Sequence, residues 1–296
     1  MVGFHPSSAF VDDPEGVRLP LRWLGGDAEE IHFPQAHPAP SAHGFVLHTS
    51  GDLLIGWTTQ LIDGDVTHAT RELYRRLFAV SADRPLYRIW NYVPAINVVN
   101  AGLENYRAFC TGRAEAFAAH YGDGFKPRLP AASAVGCAGD ALVVGFVAGR
   151  TAPRHHENPQ QIAAYHYPPE HGPHAPSFAR ATVAVDGKRP LVFLSGTAAI
   201  KGHTTIAPDD LTGQLDCTFD NLRIIARTTG LSETLGADGP WQRHFKVYLR
   251  HAADLPTVVA RCERELVRPG DRVIYVEADI CRAALVVEIE ATLLGA

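Results

Sequence analysis

The sequence predicts an α+β protein built as two similar halves, each a mixed β-sheet with two helices packed on one face. Three observations carry this prediction. Short apolar runs of period two recur between turn residues, longer runs of helical period sit among them, and the same order of elements returns in the second half.

The first 42 residues are polar and proline-rich, and read as an irregular lead-in. Alternating runs at 44–48 and 53–58 flank Ser50-Gly51-Asp52 and predict a hairpin. Leu73, Tyr74, Leu77 and Phe78 recur at helical spacing and predict a helix over 68–80. A strand over 86–93, a helix over 103–121 and strands over 131–137 and 141–147 complete the first half. In the second half, strands over 178–185 and 191–200 flank Asp186-Gly187. A helix over 211–229 carries Leu215, Thr218, Phe219, Leu222 and Ile225 on one side, and a strand over 244–250 follows. A helix over 255–266 turns Val258, Val259 and Cys262 inward, and strands over 273–278 and 283–293 end the pattern. Identity between the halves is too low to establish a repeat from residues alone, so the case for duplication rests on order. The expected division is 1–150, a proline- and histidine-rich connector over 151–177, and 178–296.

Composition narrows the function classes. The chain has 296 residues, 46% hydrophobic and 20% charged, with a formal charge of -5. That balance argues against nucleic acid or an anionic membrane as partner, since both attract a basic face. No apolar run approaches the roughly 18 residues of a membrane span, and the N-terminus lacks a basic start followed by an apolar run. Cys110, Cys137, Cys217, Cys262 and Cys281 are odd in number and widely spaced, which predicts reduced thiols in a cytoplasmic protein.

Three constellations could carry chemistry. Tyr106, Phe109, Cys110, Arg113 and Phe117 share one helix face, so a guanidinium stands inside an aromatic stripe. A buried cation costs several kcal/mol (roughly, by desolvation) unless an anion meets it. Arg113 therefore either reaches out of the core, pairs with a structural carboxylate, or binds an anionic ligand. In the strand over 86–93, Arg88, Trp90 and Tyr92 share a face, and Tyr165 and Arg180 flank the connector. Arginines with tyrosines suit a small carboxylate ligand, although an amphipathic edge strand has the same pattern. Near the C-terminus, Glu288 and Glu290 share one face of an apolar strand. A carboxyl there is either a strand end entering solvent or a general acid with a raised pKa in a closed site. Arg154-His155-His156-Glu157, His166, His171 and His174 match no ligand spacing on a helix, and no metal is expected. Serine-hydrolase elbow, phosphate-binding loop and dinucleotide fingerprint are all missing from the sequence.

Phe193-Leu194-Ser195-Gly196-Thr197-Ala198, then Gln214, Phe219 and Asn221, and the ending Val287-Glu288-Ile289-Glu290-Ala291 resemble the RidA (YjgF) family. Arg88-Ile89-Trp90-Asn91-Tyr92-Val93-Pro94, Tyr106, Gly112-Arg113-Ala114-Glu115-Ala116-Phe117 and the segment from Tyr165 to Arg180 are similar to its chorismatase branch. The resemblance spans about residues 40 to 296 and implies two RidA-like domains. It implies an enzyme, free of cofactors, that cleaves the enolpyruvyl ether of chorismate to pyruvate and a six-membered ring acid. It makes Glu288 the acid, and Arg88, Tyr92, Tyr106, Arg113, Tyr165, Arg180, Ala198 and Arg282 substrate-binding candidates. Cys281, seven residues before Glu288, favours 3-hydroxybenzoate, with 4-hydroxybenzoate as a further product. Ala198-Ala199 stands where aromatising members more often have glycine, and hydrolysis to a dihydroxycyclohexadiene carboxylate is the alternative. Because seven is odd, Cys281 must lie in the turn before the strand, or a bulge must intervene, if it is to meet Glu288. Competing readings are an imine deaminase, as in small RidA proteins, and a non-catalytic binder. A monomer or a homo-oligomer, trimer included, is compatible with all of these.

Overall fold

The structure, a computed structural model, describes residues 2–6, 11–13, 16–82 and 84–296. Two large sheets lie face to face, with helices α1 (Val66–Ser81) and α2 (Asn105–Tyr121) outside the first, and α3 (Leu211–Thr228) and α4 (Leu255–Glu265) outside the second. The innermost apolar cluster draws on both sheets, joining Trp57, Trp90 and Val143 to Phe193, Tyr248 and Val276.

The first sheet runs in the spatial order Ala131–Cys137, Leu86–Pro94, Ala141–Ala148, Leu53–Leu61, Phe45–Ser50, His37–Ala42. The second has a seventh strand, Arg22–Gly26, at one edge, and beyond it the order is Arg272–Glu277, Trp241–Leu249, Val287–Gly295, Arg189–Thr197, Ala181–Asp186, Arg154–His156. Both orders match strand for strand, and each has its parallel pair at the same place, Ala131–Cys137 on Leu86–Pro94 and Arg272–Glu277 on Trp241–Leu249. The expected duplication is thus visible as topology.

Local chemistry explains the helix starts. The Asp65 and Asp210 side chains accept the amides of His68 at 3.0 Å and Thr212 at 3.1 Å, capping α1 and α3. Close packing of α1 against α2 depends on Gly112, where a Cβ would stand 2.2 Å from the Thr67 carbonyl oxygen.

Two expectations need correction. Instead of being irregular, the lead-in forms strands: Gly16–Leu19 and Glu30–Phe33 belong to a small sheet, while Arg22–Gly26 adds an antiparallel edge to Arg272–Glu277 of the second half. The final strand begins at Val287, not at 283, because residues 281–284 turn and the Gln214 side chain caps the segment, donating to Ala284 O and accepting from Val286 N. No helix among the described residues is long and apolar enough to cross a membrane.

Candidate active site

A cavity of about 490 Å³ lies between the halves. From the first half come Tyr106, Phe109, Cys110 and Arg113 of α2, and Ala132, Ser133 and Ala134 of the edge strand. Facing them are Gly196, Ala198, Cys281, Arg282 and Glu288, with Tyr167 of the connector and Phe178 and Arg180 just after it.

Glu288 is the most buried of the acids that line this cavity. It is 3% exposed, and its Oε1 has no hydrogen-bond partner. Burial first, and the neighbouring Glu290 second, push its pKa up to about 8, against the opposing pull of Arg88 and Arg180. Room for it comes from Gly196, which lies where the pairing of Arg189–Thr197 with Val287–Gly295 slips in register. A Cβ on Gly196 would stand 1.9 Å from Glu288 Oε1.

Cations surround the space. Arg113 is 2% exposed, lies over the rings of Tyr74, Phe109 and Phe117, and leaves Nε and Nη2 without acceptors. A guanidinium held that way is poised for an anion. Arg180 donates to the Tyr167 hydroxyl at 2.7 Å, while its Nε is unmatched. Arg282 donates to His203 O at 2.8 Å and Thr205 Oγ1 at 3.1 Å, and lies over the Tyr167 ring. Its loop is held by Arg250, which donates to the carbonyls of Ile280, Arg282 and Leu285. Asn221 pins the opposite wall by donating to Ala198 O and Ile200 O.

Cys281 occupies the turn before the last strand, which satisfies its odd spacing from Glu288. Burial, then the nearby Glu288, raise its thiol to about 12, so it stays protonated. Tyr106 is likewise held well above its ordinary value, by burial and then by Cys110 and Cys281.

Of the residues singled out in the sequence, Glu288, Cys281, Tyr106, Arg113, Arg180, Ala198 and Arg282 line the cavity, whereas Arg88, Tyr92 and Tyr165 do not. Arg88 and Tyr92 share the inward face of their strand as expected, but that face meets the second sheet. There Arg88 donates to Glu290 Oε2 at 2.6 Å and Ser133 Oγ at 2.9 Å, and Tyr92 lies near Tyr248 and Lys246. Tyr165 packs on the first-half helical core, and Tyr167, two residues on, is the phenol that meets Arg180. Sequence reasoning passed over Tyr167, Ser133, Cys110 and Gly196 in this role. For Tyr167 the Tyr165-His166-Tyr167 spacing was the available signal; for Ser133 there was none.

The cavity between the two like halves, with Arg113, Arg180 and Arg282 in its wall, has the form of a binding site for a small anion. A family model described as "Chorismatase FkbO/Hyg5-like, N-terminal" matches residues 32–148. The chain is 37% identical over 243 residues to a 3-hydroxybenzoate synthase of Streptomyces hygroscopicus, covering 78% of this chain and 71% of that one. It is 36% identical over 281 residues to a chorismatase of Streptomyces rapamycinicus, covering 89% and 81%. A chorismatase crystal structure superposes with a TM-score of 0.86 at 30% identity, over 99% of this chain and 92% of that one. This chain belongs to the chorismatase family.

Proposed function

We propose that the protein cleaves chorismate to pyruvate and 3-hydroxybenzoate, with Glu288 as the proton donor. One observation carries the reading: a carboxyl raised to about 8, without a hydrogen-bond partner, in a cavity walled by Arg113, Arg180 and Arg282. Chorismate is a dianion, and the three guanidinium groups suit its ring and side-chain carboxylates. Tyr106 and Tyr167 are hydroxyl partners for the ring substituents.

In this reading the neutral Glu288 carboxyl protonates the terminal methylene of the enol ether. The ether-bearing carbon becomes oxocarbenium-like, and the resulting carboxylate stabilises it. Capture by the ring hydroxyl, loss of pyruvate and loss of a ring proton then leave 3-hydroxybenzoate. Chorismate supplies every atom of both products, whereas the diene diol would incorporate one water. Cys281, a neutral thiol near the carboxyl, supports the aromatising course by filling space and excluding water beside Glu288. Five free cysteines favour a cytoplasmic, reducing location.

The test is chromatography of the reaction of purified protein with chorismate, with pyruvate assayed in parallel. One pyruvate per 3-hydroxybenzoate is expected, and Cys281→Ala is expected to divert product toward the diene diol. Wild-type protein that makes only the diol would sink the product assignment, and turnover of 2-aminoacrylate without chorismate cleavage would replace it with imine deamination.

A further inference from the structure

At the rim of the cavity, three potential ligand atoms converge from two separate segments. His171 and Glu170 come from the connector turn Pro169–His171, and His203 comes from the turn joining strands Ile200–Lys201 and Thr204–Thr205. His171 Nε2 lies 3.0 Å from His203 Nδ1, while Glu170 Oε1 is 3.5 Å from the first nitrogen and 3.3 Å from the second. We infer that Glu170, His171 and His203 form a site for a divalent transition metal, zinc(II) above all, that ties the connector to the 200–205 turn.

Geometry and valence both support the site. A tetrahedral zinc with bonds of about 2.0–2.1 Å holds its ligand atoms about 3.3 Å apart, and the three separations bracket that figure. Protons alone serve the triangle poorly. If both ring nitrogens carry hydrogens toward the carboxylate, two N–H groups face each other across 3.0 Å. With a hydrogen on only one nitrogen, the two rings share one N–H···N bond at 3.0 Å, and the Glu170 carboxylate oxygen is then left facing the lone pair of the accepting ring. A cation at the centre satisfies all three lone pairs, and two imidazoles with one carboxylate are a ligand set zinc favours, leaving a fourth position for water.

The surroundings hold the ligands without filling the site. Arg282 fixes the His203 carbonyl at 2.8 Å, and the Tyr167 ring packs beside both imidazoles at centroid distances of 5.1 and 6.3 Å. Of the nearby cations, Arg107 is paired with Glu104 at 3.3 Å and Arg282 is engaged with backbone and Thr205. The ligands lie 32 residues apart in sequence, which is why no spacing pattern revealed them.

Cobalt(II) titration of the metal-free full chain, read by visible absorption, tests the inference. One equivalent should bind with the intense bands of a tetrahedral site, and zinc should displace it. His171→Asn and His203→Asn should each lower cobalt affinity by about 100-fold or more, since loss of an outer-shell partner alone commonly costs 10–100-fold. Melting curves of the metal-free variants check folding, and saturating zinc should raise the wild-type Tm by several degrees but leave both variants unmoved. Absence of tetrahedral bands in the wild type, or their survival in either variant, overturns the inference.

Discussion

Glu288 and Glu290 leave the same face of one strand, two residues apart, yet their carboxyls are pushed in opposite directions. Burial acts on both. Glu290 receives Arg88, Lys246 and the Trp90 indole, and these partners hold it below its ordinary value despite burial. Glu288 receives no hydrogen bond and rises to about 8 from 4.5. Separated protonation of neighbouring acids is how a fold assigns one to structure and the other to proton transfer. Two outcomes follow from the direction of the shift. The proton-donating form is present below about pH 8 and lost above it, so kcat/KM for chorismate should fall tenfold per pH unit on the alkaline side. Stability obeys the same sign: the contribution is full below 4.5, where both states are protonated, and is lost as pH rises to about 8, because the unfolded chain sheds its proton first. Glu288→Gln should therefore gain Tm relative to wild type as pH climbs from 5 to 8. A Tm difference that stays flat with pH would show that the carboxyl ionises normally in the fold.

At the scale of elements, the site depends on a slip in one strand meeting the start of another. Gly196 provides the opening that the Glu288 side chain occupies. In Gly196→Ala the added Cβ meets the Glu288 carboxyl at 1.9 and 2.6 Å and Ser133 Cβ at 3.1 Å; the severe overlap is with the carboxyl end of a side chain, so the fold should survive while the carboxyl is displaced. Activity is expected to drop by about 100-fold or more, the scale of a misplaced reacting group, with Tm changed by only a few degrees. Wild-type turnover in Gly196→Ala would remove the glycine from the account. Strands and helices were largely legible because period and turn residues are local signals. The start of the last strand was not: Ala283 to Val287 is apolar enough for a strand, but the Gln214 side chain captures its backbone and holds it as a loop. Nor did the lead-in reveal itself, since Arg22–Gly26 becomes a strand only by pairing with an edge formed far later in the chain, at residues 274–277.

Across the whole molecule, equivalent strands have diverged in what they carry inward. Ala141–Ala148 presents Val143 and Val147 to the space between the sheets, and its counterpart presents Glu288 and Glu290. The second glutamate anchors a buried network in which Arg88 of the first half meets Glu290, and Lys246 bridges Glu290 at 3.5 Å to Glu30 at 2.5 Å. That network explains why Arg88 and Tyr92 looked like ligand-binding residues: a cation beside aromatics announces an anion, and only the fold tells whether that anion is substrate or Glu290. Arg88→Met leaves a carboxylate buried without its closest partner and should cost about 3–5 kcal/mol in denaturant unfolding. A cost under about 1 kcal/mol would mean that the halves do not rely on this pair. The central claim, that Glu288 delivers the proton, is tested most directly by Glu288→Gln assayed for pyruvate release from chorismate, with substrate affinity measured by calorimetry. The account predicts turnover lower by about three orders of magnitude or more with binding largely kept; turnover within tenfold of wild type would contradict it.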